Sequence, residues 1–318
     1  MLAKQKIVFL DRASLDVSVR KPSFAHDWIE YVATTSGDVV ERLAGATIAI
    51  TNKVRLDEET IMRLPELKMI AVAATGTDII DLDVCRRRGI LVSNIRQYAA
   101  VTVPEHAFAL ILALRRNLRA YSDDVTSGKW QKSSQFCLLD HPIRDLAGSR
   151  LGIIGYGSLG QAVARLGRAF GMSICVVKPS SQSVPDVQCI SLDEMLETAD
   201  VISLHLPLTE RTRNMIGHAE FSKMKKTALL INTARGGLVD EQALAVALST
   251  GQIGGAGFDV LATEPPGADN PLLSLNLPNF ILTPHVAWAS REAMQKLADQ
   301  LIENVEAFVS ASPRNVVF

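Results

Sequence analysis

The sequence has neither an excess of one charge nor a long apolar run. Its 318 residues include 33 lysines and arginines and 34 aspartates and glutamates, for a net charge of −1. Proteins that bind nucleic acid or a membrane surface through charge carry a basic excess, so this balance argues against both partners. The longest apolar stretch, residues 107–114, is far shorter than the ~20 residues that a membrane span requires.

Cysteine is scarce and scattered. The four cysteines, Cys85, Cys137, Cys175 and Cys189, show no CxxC spacing. This pattern is typical of reduced, mostly buried thiols in a cytosolic protein, and it predicts no metal site. Within residues 1–11 a strand is predicted from residue 6, and this segment lacks the apolar stretch and cleavage site of a signal peptide. We therefore expect a cytoplasmic protein.

Short aliphatic segments alternate with longer helical patterns. Segments that are apolar throughout are typical of parallel strands covered on both faces, and their alternation with helices predicts repeated βαβ units. The chain length suits about two domains of ~150 residues, and a hydrophobic fraction of 47% suffices for a large core in each. We predict two doubly wound α/β domains with strands at residues 6–10, 47–51, 69–74, 90–93, 151–154, 173–177, 201–206, 228–232, 255–260 and 280–282.

A glycine-rich segment, Gly155-Tyr156-Gly157-Ser158-Leu159-Gly160, joins a predicted strand to a predicted helix at residues 161–170. In this context the first glycine permits a tight turn and the second lets a pyrophosphate approach the backbone. The third lets helix and strand pack closely, while the helix N-terminus supplies N–H donors. Although such a segment alone is weak evidence, its position between strand and helix predicts a dinucleotide site.

The position of this segment in the middle of the chain sets the domain organisation. A complete six-stranded nucleotide domain fits between residues 99 and 287. The apolar spacing of residues 293–308 predicts a final helix, residues 290–310, that packs back on the first domain. We therefore predict a Rossmann domain, residues 99–287, inserted in a flavodoxin-like substrate domain formed by residues 1–98 and 288–318, with hinges near residues 98–101 and 287–289.

The helix predicted after Pro104 is unusually apolar. Proline is well tolerated in a first helical turn, and residues 107–114 are apolar on every face. A helix of this kind must be buried on all sides. In a two-domain protein the simplest such burial is against a second copy of the chain, so we predict a homodimer through residues 105–118. The alternative is a core helix within one chain.

The end of the second predicted strand of the nucleotide domain bears on the choice of cofactor. Sites for NAD usually have an acidic residue about 20 positions after the glycine-rich segment, where it binds the ribose 2′-hydroxyl. Here the strand ends in Lys178-Pro179-Ser180-Ser181. A cation with hydroxyls suits a 2′-phosphate, so Lys178 and Ser180 favour NADP. If Lys178 is merely solvated, NAD remains open.

Three ionisable residues follow three predicted strands of the nucleotide domain: Arg235, Glu264 and His285. Open α/β sheets bind ligands at the carboxyl ends of their strands. A histidine can exchange a proton, a glutamate can keep it protonated, and an arginine can bind a carboxylate and polarise a carbonyl. Alone, His285 is better explained as a core histidine. The grouping of the three residues favours catalysis.

An ordered series of motifs runs along the chain. They are Ala74-Thr75-Gly76-Thr77-Asp78, Ile80-Asp81-Leu82-Asp83, Val103-Pro104-Glu105-His106, the glycine-rich segment, His205-Leu206-Pro207-Leu208-Thr209, Asn232-Thr233-Ala234-Arg235-Gly236 and Thr283-Pro284-His285. In these motifs the chain resembles the D-isomer-specific 2-hydroxyacid dehydrogenases over essentially its whole length. Within this family the chain resembles the glycerate dehydrogenase (hydroxypyruvate reductase) branch. This likeness is carried by Thr51-Asn52-Lys53-Val54, Gln135-Phe136-Cys137 and residues 285–290.

The resemblance implies hydride transfer between NAD(P)H and a small 2-keto acid, with hydroxypyruvate and glyoxylate as the leading substrates. It assigns Arg235 to the substrate carboxylate and carbonyl, His285 to proton donation, and Glu264 to the orientation of the histidine. Cofactor contacts are implied for Thr102, Gly155, Tyr156, Gly157, Ser158, Leu159, Gly160, Lys178, Ser180, His205, Pro207, Thr212, Thr233, Ala234, Asp259 and His285. Substrate contacts are implied for Lys53, Thr75, Gly76, Arg235, His285 and Trp288.

Some alternatives stay open. Asp259 is assigned to the nicotinamide carboxamide, but it is also explained as a cap of the turn after its strand. Within the enzyme class, formate or phosphite oxidation is a rival. Formate dehydrogenases replace the glutamate partner of the histidine with glutamine, so Glu264 argues against that activity. From another class, some relatives are nicotinamide-sensing corepressors, which would show a peptide-binding groove or extra tails.

Overall fold

The chain forms two compact units in a computed structural model that describes residues 4–177 and 187–318. Unit 1 comprises Met1–Ala99 and Ala289–Phe318, and unit 2 comprises Ala100–Trp288. Unit 2 is therefore continuous in sequence and is inserted in unit 1. Both units consist of a parallel sheet with helices, which confirms the predicted α/β class.

The described elements alternate between strand and helix for most of the chain. The strands are β1 (Gln5–Phe9), β2 (His26–Glu30), β3 (Ile48–Thr51), β4 (Met69–Val72), β5 (Leu91–Ser93), β6 (Arg150–Ile154), β7 (Ser173–Val177), β8 (Gln188–Ile190), β9 (Val201–Leu204), β10 (Leu229–Asn232), β11 (Gly255–Phe258) and β12 (Phe280–Leu282). The α-helices are α1 (Val39–Arg42), α2 (Glu58–Met62), α3 (Leu82–Arg88), α4 (Thr102–Arg115), α5 (Leu118–Thr126), α6 (Ser158–Ala169), α7 (Leu192–Thr198), α8 (His218–Lys223), α9 (Glu241–Ser249) and α10 (Arg291–Val309).

Unit 1 contains a parallel sheet in the order β2-β1-β3-β4-β5. Its central strands β3 and β4 are buried along their whole length, as predicted for strands covered on both faces. Strand β2 was not predicted, because this edge strand is half exposed and its sequence, HDWIE, lacks an aliphatic run. Helix α10 packs against β4, and its residues Leu297, Leu301 and Val305 are fully buried.

Unit 2 contains a parallel sheet in the order β12-β11-β10-β9-β6-β7-β8. The order reverses direction between β6 and β9, as in doubly wound nucleotide-binding folds. The described residues form seven strands in this sheet, so the prediction of six was one short. The missed strand is β8, whose first two residues are exposed because it lies at the edge of the sheet.

The apolar helix α4 is a core helix of unit 2. Ala107, Leu110, Ile111 and Leu114 are buried within the single chain, where α4 contacts α6, β10, β11 and β12. Gly257 on β11 permits this close approach, because a Cβ added there would lie 2.9 Å from the Cβ of Leu110. The apolar faces of α4 therefore do not need a second copy of the chain, and the core-helix alternative accounts for them.

Among the residues that the structure describes, no helix combines the length and the apolar character needed to cross a membrane. The cytoplasmic location stays a prediction.

Candidate active site

The candidate site begins at one edge of the sheet in unit 2. The parallel strands β10, β11 and β12 are neighbours, so their carboxyl ends meet at this edge. Arg235 follows β10, Asp259 follows β11 and His285 follows β12. Ligands of open α/β sheets bind at such an edge.

His285 and Glu264 form a close pair. Nδ1 of His285 lies 2.5 Å from Oε2 of Glu264, and Oε1 of Glu264 accepts a hydrogen bond from the backbone N–H of Leu261 at 2.8 Å. The backbone of His285 is left-handed, with φ at 56°, and its carbonyl accepts a hydrogen bond from the indole of Trp288 at 2.9 Å. Because Nδ1 is engaged by the carboxylate, Nε2 is the ring nitrogen left for proton exchange with a substrate.

Asp259 holds the loop that carries His285. Its side chain is 1% exposed, and its oxygens accept hydrogen bonds from the hydroxyl of Thr283 at 2.6 Å and from the N–H groups of Val286 and Ala287 at 2.9 and 2.8 Å. In this structure the carboxylate of Asp259 therefore caps the turn after β12, in line with the turn-cap alternative. Contact of Asp259 with a nicotinamide stays a prediction.

His106 on α4 joins the same network, although the sequence analysis gave it no role beyond its motif. Its Nε2 lies 3.0 Å from the hydroxyl oxygen of Thr283 and 3.6 Å from Oδ1 of Asp259. Since the hydroxyl of Thr283 donates to Asp259, its oxygen is free to accept from the Nε2–H of His106. The histidine therefore supports the loop of His285 from the side of α4.

Arg235 is held by the last residue of β10. Asn232 is fully buried, its amide nitrogen donates to the carbonyl of Arg235 at 2.8 Å, and its amide oxygen accepts from the N–H of Ala234 at 3.1 Å. Nη1 of Arg235 donates to the carbonyl of Ala234 at 2.8 Å. These bonds fix the backbone from which the guanidinium projects. Asn232 belongs to the motif that also contains Arg235, but its hydrogen bonds to this turn become evident only in the folded structure.

The turn of Arg235 lies directly against the loop that leads to Glu264. A Cβ added at Gly236 would lie 1.9 Å from the carbonyl carbon of Leu261, which only glycine avoids. Leu261 in turn donates its N–H to Glu264. The loops of Arg235 and Glu264 therefore meet through a direct backbone contact, and the loop of His285 joins them through the side-chain contact of His285 with Glu264.

The glycine-rich segment forms the turn between β6 and α6. Gly155 has a φ of 95°, and a Cβ added there would lie 2.3 Å from the carbonyl oxygen of His205. A Cβ at Gly160 would lie 2.2 Å from the carbonyl oxygen of Gly155, so this glycine allows helix and turn to pack closely. A Cβ at Gly157 would meet no described atom within 4 Å. The segment therefore combines two tightly packed glycines with one that leaves the backbone open to a ligand.

Several features fit a dinucleotide at this turn. Gly157 is the N-cap of α6, and it has no side-chain oxygen that could accept hydrogen bonds from the first N–H groups of the helix. N–H groups at a helix N-terminus can instead donate to a phosphate. After β9 and β10, Nδ1 of His205 and the hydroxyl of Thr233 are buried and have no hydrogen-bond partner among the described residues. Burial lowers the pKa of His205 to about 4, so its ring is neutral at pH 7. Its Nε2 lies 2.8 Å from the hydroxyl of Ser203.

Other predicted cofactor residues shape the surrounding loops. The hydroxyl of Thr102 donates to the carbonyl of Ala287 at 3.0 Å, and the hydroxyl of Thr212 donates to the carbonyl of Pro207 at 2.9 Å. Both hydroxyls are therefore engaged within the protein. Lys178 and Ser180 lie outside the described residues.

The predicted substrate residues Lys53, Thr75 and Gly76 lie in unit 1, beyond the ends of β3 and β4. The hydroxyl of Thr75 donates to the carbonyl of Ile95 at 2.7 Å. The carboxylate of Asp11 accepts a hydrogen bond from the N–H of Lys53 at 2.7 Å. Burial raises the pKa of Asp11, and its hydrogen bonds with backbone N–H groups partly oppose this rise. Asp11 was not predicted, because nothing in its local sequence marks a contact with a residue 42 positions away.

The fold and the site define a class of protein. A doubly wound sheet with a glycine-rich turn after its first strand is typical of nicotinamide dinucleotide domains, and a histidine–carboxylate pair at the edge of that sheet supplies proton exchange. Among the described residues, no group of three or more histidines, cysteines or acids is arranged to hold a metal ion. The class is a nicotinamide-dependent oxidoreductase.

Comparison with known proteins identifies the family. Residues 108–287 match the model of the D-isomer specific 2-hydroxyacid dehydrogenase, NAD binding domain. A glycerate dehydrogenase from Methylorubrum extorquens is 55% identical over 314 residues, which cover 98% of this chain and 99% of that protein. The chain belongs to the D-isomer-specific 2-hydroxyacid dehydrogenases, which confirms the predicted resemblance.

Two further proteins show the range of the similarity. A hydroxypyruvate reductase from Blautia hydrogenotrophica is 36% identical over 287 residues, which cover 89% of this chain and 88% of that protein. The structure of an acyclic imino acid reductase in complex with NADPH and D-Arg matches with a TM-score of 0.86 and 31% identity, over 99% of this chain and 100% of that chain. NAD and NADP are thus both represented among the matches.

The different surroundings of the glycines predict different effects of alanine. Gly157→Ala should leave the melting temperature unchanged but weaken NAD(P)H binding at least tenfold, or about 1.4 kcal/mol, because its methyl group would face the ligand. Gly155→Ala should lower stability by about 1–3 kcal/mol from backbone strain alone, before the clash with His205. Thermal unfolding and fluorescence titration separate the two effects. Unchanged dinucleotide affinity in Gly157→Ala would contradict the proposed phosphate position.

Proposed function

We propose that this enzyme uses NAD(P)H to reduce a small 2-keto acid, with hydroxypyruvate or glyoxylate as the substrate, to the 2-hydroxy acid. The single observation that carries the proposal is the contact of 2.5 Å between His285 and Glu264, at the sheet edge that also carries Arg235. The matches to a glycerate dehydrogenase and a hydroxypyruvate reductase support the choice of substrate.

Each of the three residues has a distinct task in this reaction. A bound nicotinamide supplies the hydride that the keto carbon accepts. Arg235 binds the substrate carboxylate through the fork of its guanidinium, and its charge polarises the adjacent carbonyl. His285 donates a proton from Nε2 to the carbonyl oxygen. Glu264 holds Nδ1, which orients the ring and balances the charge of its protonated form.

We assign the remaining contacts on the resemblance and on the local structure. Unit 2 binds the nucleotide through the turn between β6 and α6 and through the buried polar atoms of His205 and Thr233. Unit 1 supplies Lys53 and the backbone at Thr75 and Gly76 for the substrate carboxylate. Unit 1 is accordingly the substrate-binding domain and unit 2 the dinucleotide-binding domain.

Replacing Arg235 with lysine tests the proposed reaction. Lysine keeps the charge but loses the two-pronged contact, so kcat/KM for hydroxypyruvate should fall on the order of 100-fold, or about 2.7 kcal/mol, with no change in melting temperature. The matched control is Arg165→Lys, at an exposed position on α6. Steady-state kinetics with a panel of 2-keto acids provide the readout. Turnover of Arg235→Lys near that of the wild type, or failure of the wild type with every 2-keto acid, would refute the proposal.

We propose that NADPH is preferred over NADH. The support comes from the sequence Lys178-Pro179-Ser180-Ser181, which offers a cation and hydroxyls for a 2′-phosphate and no carboxylate to repel it. A charge-assisted contact contributes about 1.5–3 kcal/mol, less where water screens it, which corresponds to about one to two decades of preference. Lys178→Asp should reverse the preference, because it removes the attraction and adds repulsion. Wild-type kinetics that favour NADH in kcat/KM would show that this lysine is only solvated.

We also propose that the protein is a homodimer, with helix 105–118 at the interface. Most apolar residues of α4 are buried within unit 2, so the support comes from its exposed remainder at Ala109 and from the segment that follows. That segment, residues 118–143, exposes large apolar side chains: Leu118, Val125, Trp130, Phe136, Leu139 and Ile143. Concentrated exposure of this kind is typical of protein interfaces.

Light scattering tests the dimer at micromolar concentration. The wild type should show twice the chain mass, and Phe136→Asp with Leu139→Asp should shift the protein toward the monomer, because these side chains are 89% and 83% exposed within one chain. Val32→Asp, at an exposed position of unit 1, is the matched control. A monomeric wild type would rule out the interface.

A further inference from the structure

The loop that carries Glu264 has little packing of its own. Residues 262–265 and 267–269 are exposed, whereas Leu261 and Leu272 at its two ends are buried. A loop with few buried apolar contacts opens at low free-energy cost unless polar contacts hold it. The position of the Glu264 carboxylate therefore depends on what fixes the two limbs of this loop.

One side chain outside the loop binds both limbs. Glu241 is the first residue of α9. Its Oε1 accepts a hydrogen bond from the N–H of Ala262 at 2.6 Å, and its Oε2 accepts from the amide nitrogen of Asn270 at 2.7 Å. Asn270 is itself fixed, since its amide oxygen accepts from the N–H of Leu272 at 2.9 Å. A single carboxylate thus joins the start of the loop to its end, two residues before Glu264 and six after it.

We infer that Glu241 is a positioning residue, which holds the loop so that Glu264 meets His285. The inference rests on the proposed function, because it needs the Glu264–His285 pair to act in proton transfer. Glu241 lies 23 residues before Glu264, at the start of a different element, and none of its described hydrogen bonds reaches Glu264 or His285 directly. It acts through the backbone of residues 262–270.

The geometry requires both the charge and the length of a glutamate. A neutral glutamine keeps one carbonyl oxygen for Ala262, but its amide nitrogen cannot accept from Asn270. An aspartate keeps the negative charge at the start of α9, where the helix dipole favours it, but is one methylene shorter. Glu241→Asp therefore separates the contribution of the charge to α9 from the bridge between the two limbs.

A double-mutant cycle with Glu264 tests the inference. Glu241→Ala should lower kcat for hydroxypyruvate reduction on the order of tenfold to 100-fold, because small displacements of catalytic groups have effects of this size. The KM for the dinucleotide should not change. In a Glu264→Gln background, Glu241→Ala should lower kcat less than about twofold, because residues that act through one another are not additive. Glu241→Asp should resemble Glu241→Ala in kcat but match the wild type in melting temperature.

Two further variants complete the experiment. Gln242→Ala, at the exposed neighbouring position on α9, is the matched control and should keep wild-type kcat. Asn270→Ala removes one limb of the bridge and leaves Glu241 in place, so it tests the same coupling if Glu241→Ala does not fold. Asn270→Ala should lower kcat less than Glu241→Ala does. Like Glu241→Ala, it should have this effect in the wild-type background and not in the Glu264→Gln background.

The outcomes separate the inference from the proposed function. A loss of kcat in Glu264→Gln together with wild-type kcat in Glu241→Ala would overturn the inference alone. Equal effects of Glu241→Ala in both backgrounds would also overturn it, since Glu241 would then act independently of Glu264. Wild-type kcat in Glu264→Gln would overturn the role of the Glu264–His285 pair and the inference together.

Discussion

The buried carboxylate of Asp259 is the interaction on which the arrangement of the site depends. Residues beyond the end of a strand have no ladder partner for their N–H groups, and buried N–H groups without a partner are costly. Asp259 accepts two such groups and the hydroxyl of Thr283, so it converts the end of β12 into a defined turn. These bonds fix the backbone on both sides of His285, and this restricts the direction in which its ring projects.

The same physical device recurs at the neighbouring strand ends. Asn232 caps the turn of Arg235 with both ends of its amide, and Glu241 binds both limbs of the loop that carries Glu264. In each case one polar side chain supplies the hydrogen bonds that regular structure no longer provides. The candidate site therefore combines capping residues with the residues proposed for catalysis, on loops that the parallel sheet brings to a common edge.

The sequence predicted the parts whose signal is local. Buried strand β4 is a continuous apolar run, as is β10 up to its final asparagine, and the glycine-rich turn is one contiguous segment between strand and helix. The edge strands β2 and β8 escaped prediction because exposure removes that apolar pattern. For the helix at residues 105–118 the sequence favoured a dimer interface over a core position, but apolar residues alone do not say what covers them, and most of them are buried within unit 2. The role that we propose for Glu241 could not be predicted from the sequence, because its partners are set by tertiary structure.

The partial exposure of His285 and Glu264 suits the acid–base role that we propose for them. The side chains of His285 and Glu264 are 28% and 33% exposed, whereas the carboxylate of Asp259 beneath them is 1% exposed. A fully buried ion pair would pay a large desolvation cost and would leave Nε2 out of reach of a substrate. A fully exposed pair would be screened by water and would lose its fixed geometry. At the rim the pair can be reached by a substrate, while the buried Asp259 and the partly buried Glu241 fix the loops that carry it.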